Sequence, residues 1–362
     1  MNPKFWLNRK VLLTGHTGFK GSWLSLWLQK LGAELVGYSL SAPTQPNLFT
    51  LAQVEKGMRS VQGDVLDFAH LRQVVNEVQP EVIFHLAAQS LVRESYADPV
   101  GTFATNVMGT AHLLEVVRNA PTVRSVIVVT SDKCYDNLED NAAHRETDRL
   151  GGKDPYSGSK ACAEIVTAAY RRSFFSSEAS VSNPGIASVR AGNVIGGGDW
   201  ASNRLIPDAV RSISEKKELS IRNPDAIRPW QHVLEPLRGY LMLAEKLSAH
   251  PKEFSSAWNF GPEQSDTVPV REILNRLQKL WGGVPRWCAD RGVYVHEAKY
   301  LRLDCAKARK ELSWEPYWEL DSALGSTVEW YKAQQGNENM RQVTQKQIEA
   351  YQSQLKGTEI SR

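Results

Sequence analysis

Residues 10–32, KVLLTGHTGFKGSWLSLWLQKLG, decide the fold. Lys10–Leu13 is a short apolar run suited to a strand. Thr14–Gly21 (TGHTGFKG) is a glycine-rich turn, and SWLSLWLQKLG after it is helix-like. Strand, glycine turn and helix in that order make a phosphate cradle, because a helix N-terminus points backbone N–H groups at an anion. Gly15, Gly18 and Gly21 suit a tight turn, close approach of a pyrophosphate, and close packing of helix on strand. Their spacing is G-x-x-G-x-x-G rather than G-x-G-x-x-G. An ordinary strand–helix turn is the alternative reading of these residues.

The same alternation continues outward. Glu34–Leu40 (ELVGYSL) reads as a second strand. A dinucleotide fingerprint expects an acid near its end to bind the adenosine ribose, but Ser39, Leu40 and Ser41 stand there. No Arg lies close by for a 2′-phosphate, which favours NAD over NADP. Arg59–Val61 is a third strand, followed by GDVLD. Asp64 can reach an adenine amine or cap the helix AHLRQVVNEV. Pro80–Ala88 is a fourth strand ending in small residues, which let a flat ring pack on backbone. Thr102–Asn119 reads as a long amphipathic helix, and Ser125–Val129 (SVIVV) as a fifth strand. This alternation predicts an α/β fold, a doubly wound parallel sheet with ligands across the carboxyl ends of its strands. Gly15–Gly21, Ala87–Ser90 and Thr130–Lys133 then share one rim.

The stretch after the fifth strand, Thr130–Lys160, carries the chemistry. It ends on Tyr156-x-x-x-Lys160, opening a helix-like segment. Four positions apart on a helix places both side chains on one face. An ammonium beside a phenol favours the phenolate, and such a phenol can take a proton from a sugar hydroxyl. A surface helix pair is the bland alternative.

The chain has 362 residues, enough for one large or two ordinary domains. Its net charge of +3, without a basic run, argues against nucleic acid. Cys134, Cys162, Cys288 and Cys305 have neither zinc-site nor disulfide-framework spacing. No metal is expected. No signal pattern and no long apolar run appears, so a reducing cytoplasm and no membrane contact are the expectation. Beyond Lys160 the alternation weakens. We divide the chain into a cofactor domain at 1–190, an interleaved smaller α/β substrate domain at 191–336, and a polar tail or peripheral helix at 337–362.

Together these pieces resemble the extended short-chain dehydrogenase/reductase family, in its sugar-nucleotide dehydratase and epimerase group. The carriers are TGHTGFKG at 14–21, HLAAQS at 85–90, NVMGT at 106–110, TSDK at 130–133, YSGSK at 156–160 and RAGNVIG at 190–196. The resemblance covers nearly the whole chain and implies a Rossmann fold binding NAD. Ser131-Asp132-Lys133 sits where 4,6-dehydratases of the group carry Thr-Asp-Glu. TSDKCY, RAGNVIGGGDW and RPWQHVLEP are similar to the dehydratases that act on CDP-glucose, in deoxysugar and O-antigen precursor synthesis.

By this resemblance Tyr156 takes the 4-hydroxyl proton, Ser131 polarises the 4-oxygen, and Asp132 is the acid for the departing hydroxyl. Lys133 is either the C5 base or a charged stabiliser of the enolate. Lys160 also binds the nicotinamide ribose. Gly15, His16, Gly18, Phe19, Lys20 and Gly21 form the cofactor turn. Asp64 and Val65 flank the adenine, and Leu86, Ala87, Ala88 and Asn106 complete the cofactor wall. Gln89, Ser90, Asn193, Arg204, Arg228, His232 and Arg302 are assigned to the sugar nucleotide, the arginines to its pyrophosphate. His16 and Lys20 are bulky for their places and, with the missing ribose acid, predict loose NAD binding. The resemblance also implies a homodimer or tetramer through the helices Thr102–Asn119 and Tyr156–Phe175. A UDP-N-acetylglucosamine dehydratase, a 4-epimerase and an idle NAD-sensing protein are the rival readings.

Overall fold

The computed structural model describes residues 1–139, 142–176, 183–283, 286–290, 292 and 298–359. Seven parallel strands form the central sheet: β1 (Lys10–Thr14), β2 (Glu34–Ser39), β3 (Arg59–Gln62), β4 (Val82–His85), β5 (Ser125–Val129), β6 (Gly185–Ala191) and β10 (Ala257–Phe260), in the order β10-β6-β5-β4-β1-β2-β3. β4, β5 and β6 are buried along their whole length. Buried parallel strands read as continuous apolar runs because both faces are covered. Within β1, Leu12 joins one core while Val11 and Leu13 join the other, as the two-residue side-chain period requires.

The helices Phe68–Val78 and Gly109–Val117 cover one face. Phe19–Lys30 and Leu234–Ala249 cover the other. β1 and β4 are neighbours, yet the chain runs outward from them in opposite directions. This reversal opens a crevice at their carboxyl ends, where a doubly wound sheet binds its ligand.

The other strands build the second lobe. β7 (Asn193–Ile195), β9 (Ile227–His232) and β11 (Thr267–Pro269) form a three-stranded sheet, and β8 (Leu219–Ile221) pairs in parallel with β12 (Trp287–Ala289). β10 follows the Leu234–Ala249 helix back into the main sheet, beside β6.

Two elements differ from the sequence reading. The 102–119 segment is an α-turn, a π-turn at Ala104–Met108, and a second α-helix from Gly109. In that turn Asn106 is buried, with its side chain bonded to Gln89 N, Gln89 O and Ser159 Oγ at 2.8–2.9 Å. The tail contains a docked helix, Met340–Glu359, that buries Met340, Thr344, Ile348 and Tyr351. Tyr351 meets Trp27 edge-on, and its hydroxyl donates to buried Glu235 at 2.7 Å. Residues 360–362 lie outside the described residues. No helix among the described residues is long and apolar enough to cross a membrane.

Candidate active site

The glycine turn follows β1 and closes against the end of β4. Gly15 has φ +76, and a Cβ there would sit 2.7 Å from Ala87 N. A Cβ on Gly21 would lie 2.1 Å from Gly15 O. Neither place admits a side chain without backbone movement. Gly18 stands at the N-cap of the Phe19–Lys30 helix and contributes no side-chain cap, so this helix start offers its N–H groups to an anion. A turn this close to backbone at the strand reversal fits a dinucleotide.

The rest of the expected cofactor wall surrounds it. Ala87 N bonds Thr14 Oγ1 at 3.2 Å, and Leu86 N bonds Thr14 O at 3.1 Å. Ala88 continues the chain toward Gln89 and Asn106. Val65 is buried against the Gly109–Val117 helix. Asp64 lies past β3, where its carboxylate accepts from Leu66 N at 2.9 Å; the capping role open to it falls to Asp67, which accepts from His70 N. At the end of β2, Thr17 Oγ1 bonds both Ser39 Oγ and Leu40 O at about 3 Å. His16 is folded under the turn, its Nε2 2.7 Å from Ser60 Oγ, and burial lowers its pKa to about 4.

Lys20 is placed differently from the expectation. It lines a cavity of about 460 Å³ together with Ser131, Asp132, Lys133 and Tyr156. Its pKa is lowered to about 8, by burial first and then by Arg204, against the opposing pull of Asp132 and Asp199. Phe19 lines the same cavity.

Tyr156 and Lys160 sit on the Pro155–Phe174 helix, which begins with Asp154 capping Ser157 N at 2.9 Å. The expected lowering of the phenol is not met. Burial raises Tyr156 to about 12; a hydrogen bond with Ser131 pulls it down, and Asp132 pushes it up. Lys160 turns its Nζ to Val129 O at 3.2 Å, and burial, then Lys20, lowers it to about 8.

Ser131-Asp132-Lys133 forms a short turn at the end of β5. Ser131 Oγ accepts from Lys133 N at 3.2 Å and donates to Asp132 Oδ1 at 3.1 Å. Asp132 is 3% exposed, and its Oδ2 has no hydrogen-bond partner among the described residues. Burial raises its pKa against the pull of Lys133, Ser131, Arg228 and Lys20. A carboxyl whose proton affinity is raised by burial is suited to donate a proton.

Behind the turn, buried Glu164 accepts from Thr130 Oγ1 at 2.5 Å, Ser188 Oγ at 2.6 Å and Arg190 Nη2 at 2.8 Å. Burial alone would raise Glu164, but Arg190 and the hydrogen bonds from Ser188 and Thr130 together outweigh it and hold the carboxylate low.

Ser90, Asn193, Arg204 and Arg228 all line the cavity. Arg204 donates to Asp199 Oδ2 at 2.9 Å and Ser90 Oγ at 3.0 Å. Arg228 is held by Ile227 O at 2.9 Å and Ala298 O at 2.5 Å.

Three assignments are corrected. Gln89 is spent on its own loop, donating to Leu91 O and Thr102 Oγ1, and does not line the cavity. His232 is fully buried between the rings of Trp23 and Trp318, because its strand is buried on both faces. Arg302 lies outside the cavity lining, in a segment whose carbonyl accepts from His144 N. Sequence reading missed Arg93, Asp199 and Arg222, which do line it. Asp199 alone carried a signal, in its place beside the GGG run. Among the described residues no group of His, Cys, Asp or Glu is arranged to hold a metal.

The family model described as GDP-mannose 4,6 dehydratase matches residues 12–275. The chain belongs to that family. Within it, a CDP-glucose 4,6-dehydratase of Salmonella typhimurium is 49% identical over 98% of this chain and 99% of its own length. The dTDP-glucose 4,6-dehydratase of the same organism is 27% identical over 95% of this chain and 97% of its own. Among solved structures, a dTDP-glucose 4,6-dehydratase from Bacillus anthracis, in complex with NAD, superposes with TM-score 0.76 at 22% identity, covering 92% of this chain and 99% of that one. A UDP-glucose 4-epimerase from Brucella ovis, also with NAD, gives 0.75 at 24% identity, over 89% and 98%. A dTDP-glucose 4,6-dehydratase and a UDP-glucose 4-epimerase thus share this fold.

Proposed function

We propose that this chain is an NAD-dependent hydro-lyase that converts CDP-glucose to CDP-4-keto-6-deoxyglucose. The 49% identity to a CDP-glucose 4,6-dehydratase over essentially both full lengths carries the reading. The gathering of Ser131, Asp132, Lys133 and Tyr156 around one cavity supports it.

Gly15, Gly18, Gly21, Ala87 and Lys160 would hold NAD, which when bound accepts hydride from sugar C4, brings a positive charge to the site, and returns the hydride to C6. Tyr156, hydrogen-bonded to Ser131, would receive the 4-hydroxyl proton as the phenolate that the positive charge of bound NAD and the Lys160 ammonium favour over the neutral phenol of the ligand-free site. The 4-ketone acidifies the C5 proton, which Lys133 removes or whose enolate Lys133 stabilises. Asp132 gives its proton to the 6-hydroxyl, which leaves as water. Reprotonation at C5 completes a net loss of one water. Arg204, Arg228 and Asn193 would hold the pyrophosphate and sugar, charge-assisted hydrogen bonds to phosphate being strong. In this reading residues 1–190 form the cofactor domain, 191–336 the sugar-nucleotide domain and 337–362 an appended segment. The protein works in the cytoplasm as a homodimer or tetramer.

The test is a panel of CDP-, dTDP-, UDP- and GDP-glucose and UDP-N-acetylglucosamine, each with and without NAD, read by mass spectrometry. Loss of one water from CDP-glucose, stimulated by added NAD, is the expected result. Water loss from another nucleotide alone overturns the specificity. An isomeric sugar without water loss overturns the dehydratase reading.

A further inference from the structure

The catalytic cavity does not end at its arginines. Its lining continues past Arg204 and Arg228 to Ser220, Ile221, Arg222, Asn223 and Asp290. Ser220 and Ile221 belong to β8, and Asp290 directly follows β12. Among the described residues these two strands pair with each other alone, so they form a lip separate from the main sheet that carries Tyr156 and Ser131 on its rim. A sugar nucleotide is a long molecule with its hexose at one end. With the hexose at Tyr156 and Asp132 and the diphosphate at the arginines, the nucleoside continues toward this lip.

Among the described residues, four carboxylates line the cavity: Asp132, Asp199, Asp208 and Asp290. Asp132 sits in the catalytic turn. Asp199 is paired with Arg204 at 2.9 Å and accepts from Ala201 N at 3.0 Å. Asp208 is paired with Arg211 on the Leu205–Glu215 helix. Asp290 is the carboxylate at the lip. Its backbone N–H donates to Ile221 O at 2.8 Å, tying it to β8. Its Oδ2 accepts from Ser220 Oγ at 2.9 Å and its Oδ1 from Gly292 N at 2.9 Å. These bonds fix the side chain on the cavity wall, and a carboxylate oxygen accepts more than one hydrogen bond.

We propose that Asp290, held by Ser220, is the residue that selects cytosine over uracil. An ionised carboxylate only accepts hydrogen bonds. Cytosine presents an exocyclic amine donor at C4, and pairing of Asp or Glu with that amine is an established mode of base recognition. Uracil and thymine present a carbonyl oxygen at the same place. There the carboxylate faces another acceptor, and neither group is satisfied. A polar site built for one donor rejects the analogue that lacks it more strongly than an apolar pocket rejects a change of size. Asn223 on the same wall both donates and accepts, so it does not impose this choice.

This inference rests on the CDP-glucose reading, and its test separates the two. Wild-type protein and Asp290→Asn are assayed for kcat/KM on CDP-glucose and UDP-glucose with saturating NAD, and for competitive inhibition by CMP and UMP. The amide of Asn can donate to a C4 carbonyl. The ratio of CDP-glucose to UDP-glucose should therefore fall by about ten- to a hundred-fold, with the CMP to UMP inhibition ratio falling alongside. Ser220→Ala, which loosens the carboxylate without removing it, should narrow both ratios severalfold; it also answers the question if Asp290→Asn fails to fold. Unchanged ratios in the folded variants, with wild-type protein dehydrating CDP-glucose, overturn the role of Asp290 and leave the activity standing. A wild-type protein that prefers a uridine or thymidine sugar overturns the activity reading itself.

Discussion

At Asp132 two physical demands meet. A leaving-group acid must hold its proton near neutral pH, and burial raises this carboxyl while three cations around it pull the other way. Asp132→Asn should lower kcat for water loss by about a hundred- to ten-thousand-fold, the usual weight of a positioned acid. Exchange of solvent deuterium into C5 of CDP-glucose, followed by mass spectrometry, should survive in that variant because the steps before elimination do not need the acid. Lys133→Met should abolish the exchange if Lys133 is the C5 base and merely slow it if Lys133 stabilises the enolate. Loss of exchange in Asp132→Asn would remove Asp132 from the acid role. Lys20 carries a second residue-scale consequence. Its folded pKa is about 8 against an ordinary 10.5, with burial as the first cause. Below pH 8 both folded and unfolded chains hold the proton, and the folded chain bears the cost of a buried ammonium. Between about 8 and 10.5 only the unfolded chain holds it, so stability rises with pH. Lys20→Met should therefore stabilise the ligand-free protein by about 1–3 kcal/mol at pH 7, and the gain should vanish above pH 10.5. Thermal melts across pH check this; a destabilised variant at pH 7 would show that Lys20 is a net favourable contact.

At the level of elements, strands such as β4 and β5 were legible because buried parallel strands are unbroken apolar runs between turn residues, whereas β10 (Ala257–Phe260) was not read from the sequence. Ser125–Val129 and Ile83–Phe84 have no polar interruption, and the structure keeps both. The π-turn at Ala104–Met108 was not legible, since inserting one residue into a helix leaves composition and approximate period unchanged. What requires it is Asn106 bonding to a loop seventeen positions away. Gln89 and His232 were misjudged for a related reason. A polar residue type does not say whether substrate or protein surrounds it, and both Thr102, which accepts from Gln89, and the rings of Trp23 and Trp318, which enclose His232, are remote in sequence. The placing of Ser131, Asp132, Lys133 and Tyr156 around one cavity was legible because the first three are consecutive after a strand and Tyr156 opens a helix. The Met340–Glu359 helix looked peripheral because its inward residues are few: Met340, Thr344, Ile348 and Tyr351, spaced by three or four. Yet Thr344 Oγ1 accepts from Trp330 Nε1 at 2.9 Å, and Gln354 Oε1 accepts from Trp318 Nε1 at 2.7 Å. Removing residues 340–362 should expose Trp27 and Trp330 behind the glycine-turn helix and strip Glu235 of its tyrosine donor. Each large apolar side chain so exposed costs about 1.5–3 kcal/mol, and the total is a large share of a typical domain's stability of about 5–15 kcal/mol. The truncated chain should be insoluble or melt more than about 10 °C lower. An unchanged melting temperature would mean that the helix is peripheral after all.

On the scale of the whole molecule, one surface is less polar than a lone subunit needs. Val100 is 78% exposed, Met108 50%, Ile165 56% and Phe103 38%. They stand on the Pro99–Val117 run and on the Pro155–Phe174 helix, which pack against each other. Phe103 reaches across to Gly158, so the two elements present one continuous outer face. On the helix, the half-buried Cys162, exposed Ile165 and exposed Ala169 follow the spacing of a helical stripe. Exposed apolar patches of this kind mark interaction sites, and a two-fold axis lets one patch cover its own copy. The same helix carries Tyr156 and Lys160 on its inner side, so pairing there would stiffen the element that positions the proposed general base. Light scattering after size exclusion should therefore give about twice the 40.5 kDa chain mass. A double substitution, Met108→Glu with Ile165→Glu, buries carboxylates against apolar partners at the axis and should shift the protein to monomer. If pairing matters to the site, the monomer should show a lower kcat with KM for the sugar nucleotide little changed, because neither residue lines the cavity. A wild-type monomer at micromolar concentration would remove the homodimer from the proposal. An unchanged mass in the double variant would move the interface to another face.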